Sequence, residues 1–135
     1  MVNSGTLYGS PKDVKVLWNE LLPVPTWNDC EQVYVLVGFR YGRFFVISRL
    51  VEVPNRASNP REDFVVYTRD VNEVRKSLVP PETVIGYGHT HPALMNVPSG
   101  NDLKGLPSGV IGAVFCDGSI YWYTRKNRRK ISSLR

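Results

Sequence analysis

Two closely spaced β-rich runs constrain the fold of this chain more than any other feature. Residues 31–39 read EQVYVLVGF and residues 43–53 read RFFVISRLVEV, with only the tripeptide RYG between them. Strand-forming residues on both sides of a short glycine-containing turn predict a β-hairpin. A second hairpin is predicted in residues 109–124, GVIGAVFCDGSIYWYT, around Asp117-Gly118. Because the strands come in hairpins, the sheet is expected to be mostly antiparallel.

Helical signals occur between these strands. Residues 10–22, SPKDVKVLWNELL, begin with a capping serine and a proline, and their apolar residues follow helical spacing, which predicts a first helix. Residues 68–78, TRDVNEVRKSL, place Val71, Val74 and Leu78 on one helical face and predict a second. Residues 64–67 and 83–91 are expected to be strands, and residues 98–106 a short third helix. The prediction is one mixed α/β domain, with two main helices and a short helix flanking the sheet.

Composition limits the class of protein. The 135 residues suit a single domain, predicted over residues 1–125, and no apolar run approaches the roughly 20 residues of a membrane span. The first residues lack the order of a secretory signal, so we expect the protein in the cytoplasm with Cys30 and Cys116 reduced. The net charge of +5 is concentrated near the end, where residues 126–135 form a basic tail. Such tails are usually just solvated, although this one could attract an acidic protein or nucleic acid.

Both histidines of the chain lie in GYGHTHPALMNVPSGND, residues 86–102. On a strand, His89 and His91 point to the same face with Cα atoms roughly 6.5 Å apart, a separation that two imidazoles can span to one metal. Ser99 to Asp102 has the S-x-x-D spacing that opens a helix, and its carboxylate could complete the ligand set. Three protein ligands and one open position are typical of a catalytic zinc site. The alternative is structural: two histidines that cover a sheet, followed by an ordinary capping box.

The segment HTHPALMNVPSGND resembles the signature of the JAMM (MPN+) zinc metalloproteases, in particular their compact prokaryotic or phage-type members. The resemblance implies an MPN domain of cytidine-deaminase-like architecture with one Zn²⁺ per chain, bound by His89, His91 and Asp102. It also implies that Ser99 stabilises the oxyanion and that an upstream glutamate is the general base. In EQVYVLVG this glutamate is Glu31, and the loop VPNRASNPREDF is similar to a segment of the family. Other acidic side chains nearby in sequence are Glu20, Glu52 and Glu62.

The resemblance also implies a substrate class. Related enzymes hydrolyse an amide or isopeptide bond after the C-terminal tail of a ubiquitin-like or sulfur-carrier protein, so we expect such a protein as partner. An acidic partner would suit the net charge of +5. A competing hypothesis is a non-catalytic MPN-like scaffold whose basic tail binds nucleic acid or an acidic partner. Membrane binding is not expected, and the sequence leaves the oligomeric state open.

Overall fold

The computed structural model describes the backbone of residues 2–6 and 132–134. It describes residues 15–19, 21–42, 44–92, 95, 106–107 and 109–124 with their side chains. The described elements, in chain order, are β1 (Val2–Thr6), β2 (Lys15–Asn19), β3 (Val33–Tyr41), β4 (Phe44–Val53), α1 (Thr68–Lys76), β5 (Thr83–Thr90), β6 (Ile111–Cys116), β7 (Ser119–Thr124) and β8 (Ser132–Leu134). None of the described helical structure has the length and hydrophobicity needed to cross a lipid bilayer.

All eight strands belong to one curled sheet in the order β7-β6-β5-β3-β4-β2-β1-β8, and β8 returns close to β7. Of the seven strand pairings, five are antiparallel, and β2·β4 and β5·β6 are parallel. The predicted mixed α/β class and mostly antiparallel sheet are therefore confirmed. Both predicted hairpins form, and Asp117 and Gly118 have the positive φ angles, 51° and 77°, of a tight two-residue turn.

The predicted first helix is wrong where the structure describes it. Lys15–Asn19 form β2, which pairs in parallel with β4. Val16 and Trp18, two residues apart, are both buried in the core, which is the period of a strand and not of a helix. The pairing of this segment with a distant buried strand therefore overrides the helical spacing of its apolar residues. Among the described residues α1 is the one α-helix, and the predicted short third helix lies mostly outside them.

The predicted strand at residues 64–67 is also wrong, because this segment has no place in the sheet. Its polar backbone groups bond instead to the preceding loop. Val65 donates its N–H to the Asn55 side chain and accepts a bond from the Arg56 N–H. The predicted second helix, by contrast, is confirmed as α1.

The two faces of the sheet carry separate apolar clusters. One face packs aromatic and aliphatic side chains of β2 to β7, with Trp18, Phe115 and Trp122 as its largest members. On the other face, valines of β3 and β4 pack against Val71 and Val74 of α1. Helix α1 therefore covers only one face, and the candidate metal-binding side chains described below lie on that same face.

An ion pair connects β4 to the turn that precedes β5. Arg49 donates two hydrogen bonds of 3.1 Å to the two carboxylate oxygens of Glu82. Ser48 and the backbone N–H of Val79 donate to the same carboxylate. The Arg49 bonds, followed by the Val79 bond, lower the pKa of Glu82 from 4.5 to about 2.

We predict that Glu82→Gln destabilises the fold in a pH-dependent way. The pKa of Glu82 is depressed in the folded state, so its contribution to stability is present above pH 4.5 and disappears as the pH falls toward 2. The Tm of the variant should therefore be lower than that of wild type at pH 7, and the gap should close in acid. Differential scanning calorimetry from pH 7 to pH 2 measures this. A gap of constant size would contradict the assignment, and Glu73→Gln, at the exposed ion pair with Lys76, is the control.

Candidate metal centre

The end of β5 brings the two histidines together. His89 and His91 are 1% and 6% exposed, and their Nε2 atoms are 2.9 Å apart. His91 follows the last residue of the strand, and its N–H donates to the Phe115 carbonyl of β6 at 3.0 Å, which continues the parallel pairing past the strand end. The i, i+2 spacing therefore places both imidazoles on one face, in a buried site at the strand end.

Strand pairing brings a carboxylate to the same point. In the antiparallel β3·β5 pair, Val33 lies opposite His89, so the register continued by two residues places Glu31 opposite His91. The Glu31 Oε1 atom is 3.5 Å from His91 Nε2 and 3.8 Å from His89 Nε2. One ligand atom of each residue lies within 4.8 Å of the others, and all three residues are buried. Three polar side chains are thus buried together in the protein interior.

The chemistry of these side chains fits a metal ion. His91 Nδ1 is 2.7 Å from the Met95 carbonyl. A carbonyl only accepts, so Nδ1 carries the proton and Nε2 carries the lone pair that could bind a cation. No described residue donates a hydrogen bond to the buried Glu31 Oε1, although leaving such an atom unsatisfied is costly. Zinc ligands in a tetrahedron are roughly 3.3 Å apart, and the two histidine Nε2 atoms, 2.9 Å apart, differ from this by about 0.4 Å.

The loop between β4 and α1 holds the backbone of Glu31 in place. The Glu31 N–H donates to the Pro60 carbonyl at 2.7 Å, and the Asn55 amide donates to the Glu31 carbonyl at 2.7 Å. Asn55 also donates to the Asp63 carbonyl and accepts from the N–H groups of two further loop residues. All four hydrogen bonds that a primary amide can make are satisfied, so Asn55 links Glu31 rigidly to this loop.

Two further side chains fix the histidine strand. The Thr90 hydroxyl accepts from the Gln32 N–H at 2.9 Å, and the Thr90 N–H donates to the Gln32 carbonyl at 3.0 Å. Thr90 therefore ties the residue between the histidines to the residue after Glu31. On the other side, the Phe64 ring stacks on His89 with centroids 4.3 Å apart. These contacts restrict the position of both candidate ligands.

Three of the five predicted site residues, His89, His91 and Glu31, lie together in the structure, and the roles assigned to them stay predictions. Ser99 and Asp102 lie outside the described residues, so their roles remain predictions. Glu52 and Glu62 are exposed and not part of the cluster, and Glu20 is outside the described residues. Cys30 and Cys116 are free thiols.

No role was predicted for Asn55 or Phe64 from the sequence. The available signal was the loop VPNRASNPREDF, residues 53–64, which contains both residues and is similar to a segment of the JAMM family.

No family model matches this chain, and no curated protein matches it in sequence. The chain is similar in structure to protein DSY2949 of Desulfitobacterium hafniense, with a TM-score of 0.57 at 19% identity, over 78% of this chain and 75% of that one. It is also similar to a JAB1/MPN domain protein from Archaeoglobus fulgidus, with a TM-score of 0.47 at 19% identity, over 76% of each chain. The similarity to DSY2949 shows a shared fold.

We predict that the purified protein binds about one Zn²⁺ per chain. Loss of a residue that only supports a metal ligand typically lowers metal affinity by roughly 10- to 100-fold. We expect His91→Ala to lower the zinc affinity by more than this. The reason is the loss of one of two neutral imidazole ligands. Elemental analysis and competition with a chromogenic chelator measure stoichiometry and affinity. A Cys30→Ser/Cys116→Ser variant should keep its zinc, because neither thiol belongs to the cluster. Unchanged zinc binding by His91→Ala would contradict the site.

We predict that Asn55→Asp destabilises the protein by about 2 kcal/mol, because two donors facing the carbonyls of Glu31 and Asp63 become acceptors. The substitution preserves shape, so loss of packing does not contribute. Urea unfolding measures the change. Asn59→Asp is the matched control, since its exposed amide bonds only to the Glu62 side chain. Equal stability of the two variants would contradict the assigned role of Asn55.

Proposed function

We propose that this protein is a zinc-dependent peptidase or isopeptidase of the JAMM type. It hydrolyses an amide or isopeptide bond after the C-terminal tail of a ubiquitin-like or sulfur-carrier protein. The observation that carries the proposal is the buried Glu31 carboxylate, which faces both histidine Nε2 atoms and accepts no hydrogen bond at Oε1 from any described residue. The resemblance of residues 89–102 to the family signature supports the same function.

His89 and His91 would hold the metal, with Asp102 as the proposed third ligand. Bound zinc would supply a Lewis acid and would lower the pKa of a water molecule to roughly 7. The Met95 carbonyl contributes by keeping the proton of His91 on Nδ1, so that Nε2 faces the metal position. The stacked Phe64 ring contributes by excluding water from one side of His89.

Glu31 acts as the proton carrier. Its Oε1 accepts a proton from the attacking water as the new carbon–oxygen bond forms. It then transfers that proton to the leaving nitrogen as the carbon–nitrogen bond breaks. The oxygen is well suited to this work, because no described donor competes for its lone pairs and the loop holds its backbone. Ser99 is proposed to donate a hydrogen bond to the carbonyl oxygen as its negative charge develops.

We predict that Glu31→Gln lowers kcat by about 10²- to 10⁴-fold and leaves zinc binding intact, because the amide cannot accept the proton but is not needed to hold the metal. The assay follows cleavage of a ubiquitin-like protein with an amide-linked C-terminal extension by mass spectrometry. Glu62→Gln, an exposed glutamate of the adjacent loop, is the control. Loss of zinc in Glu31→Gln would instead make Glu31 a ligand, and persisting cleavage would remove it from the mechanism.

The same purified proteins distinguish the enzyme from the alternative, a non-catalytic scaffold. Zinc-loaded wild type that cleaves no substrate, but binds nucleic acid with an affinity that falls steeply with salt, would contradict the enzyme. That conclusion would be strengthened if the nucleic-acid affinity survived His91→Ala, because the metal centre would then have no part in it.

A further inference from the structure

We propose that a pocket beside the metal centre binds one large apolar side chain of the substrate, within a few residues of the bond that is cleaved. This inference rests on the proposed function for the identity of that bond. The pocket would select substrates by a large side chain near the cleaved bond, whereas a glycine has no side chain that could enter it. The substrate is thus a peptide chain carrying a residue such as phenylalanine or leucine close to the scissile amide.

The pocket has a volume of about 390 Å³ and lies on the face of the sheet that α1 covers. Its walls come from the segment that precedes α1, from one side of α1, and from β5, β7 and residues 106–107. Most of the lining is apolar, with Phe64, Val66, Val71, Tyr87, Leu106 and Tyr123 contributing. This volume is within the roughly 300–1,000 Å³ of typical ligand pockets, and it has room for an aromatic side chain.

Phe64 connects the pocket to the candidate metal centre. Phe64 forms part of its wall and also stacks on His89 at 4.3 Å. Tyr87 precedes His89 by two residues on β5, so both side chains project from the same face roughly 6.7 Å apart. A side chain in the pocket therefore places its own backbone within one or two residues of a bond held at the histidines.

The floor of the pocket is shaped by a glycine. Tyr87, Gly112 and Tyr123 lie side by side across β5, β6 and β7. A Cβ atom added at Gly112 would overlap the Tyr123 ring, so the ring lies over this glycine, where a side chain would otherwise stand. Two tyrosine rings thus border the floor, and flat apolar surfaces of this kind favour contact with aromatic or branched side chains.

The charges around the pocket indicate an uncharged occupant. Asp63 and Arg75 are the two charged residues of the lining and have opposite signs. The Arg75 guanidinium also donates to the Asn72 side chain at 2.9 Å. There is no excess of positive charge to attract a phosphate or carboxylate, and the apolar surface contributes most of the binding free energy.

The test uses NMR titrations of the zinc-loaded Glu31→Gln protein, so that binding is read without cleavage. The probes are capped peptides Gly-Gly-Xaa-Gly-Gly with Phe, Leu or Ala at Xaa. We expect the Phe and Leu peptides to bind at least about tenfold more tightly than the Ala peptide, since burying such a side chain is worth one or more factors of ten. Amide shifts should include Tyr87 and Val71. Equal affinities for the three peptides, or no binding of any of them, would overturn the proposal.

Matched variants on α1 locate the binding site. Thr68 lines the pocket and is exposed at the start of the helix, so Thr68→Phe fills the space from its rim without entering the core. It should remove the preference for Phe over Ala. Glu73→Phe adds the same ring on an exposed part of the helix that does not line the pocket, and should keep the preference. A preference that survives Thr68→Phe would overturn the assignment to this pocket.

A cleavage assay separates this inference from the proposed function. Ubiquitin-like substrates carrying Phe, Leu or Ala at each position within three residues of the bond are compared with wild-type enzyme. Peptide selectivity in the titrations without cleavage of any substrate would contradict the peptidase and leave the pocket intact. Cleavage at equal rates for all residues would contradict the pocket and leave the peptidase intact.

Discussion

The candidate centre depends on the antiparallel pairing of β3 with β5. In this pairing Val33 lies opposite His89, and the next residues on the same face are Glu31 and His91. The carboxylate and the imidazoles are therefore cross-strand neighbours, although 58 residues separate Glu31 from His89 in the chain. A slip of one residue in register would turn one set of side chains to the opposite face of the sheet and abolish the cluster. The Thr90 bonds to Gln32 hold this register at the strand end, where fraying would otherwise begin.

This arrangement is stabilised from outside the sheet. A buried carboxylate and two buried imidazoles lose their hydration, and their mutual contacts restore little of it without a cation. The loop between β4 and α1 offsets part of this cost. It bonds both backbone polar groups of Glu31, through Asn55 and Pro60, and packs Phe64 on His89. Arg56 connects the loop to α1 through two 3.0 Å bonds to Asp70. The loop and the helix thus serve the centre and the adjoining pocket together.

The two faces of the sheet carry different features: a large apolar cluster on one, and the candidate centre with its neighbouring pocket on the other. The face with the tryptophans carries the largest apolar cluster, so most of the area removed from water on folding is expected there. The other face packs against α1, and it also contains the histidines, Glu31 and the pocket, which is lined by Tyr87, Tyr123 and one side of α1. The largest apolar cluster and the candidate centre therefore lie on opposite faces of the sheet.

The sequence by itself determined the features that depend on short-range chemistry. The two hairpins, helix α1 and the shared face of His89 and His91 follow from turn residues, helical spacing and the period of a strand. Tertiary structure decided the rest. Lys15–Asn19 became a strand because Val16 and Trp18 complete a distant core, against a helical pattern in their own segment. The motif resemblance had singled out Glu31, but its position opposite His91, the support of Asn55 and the stacking of Phe64 come from pairings between segments far apart in the chain. Local propensity carries no information about such contacts, since they depend on which strands become neighbours and in which register.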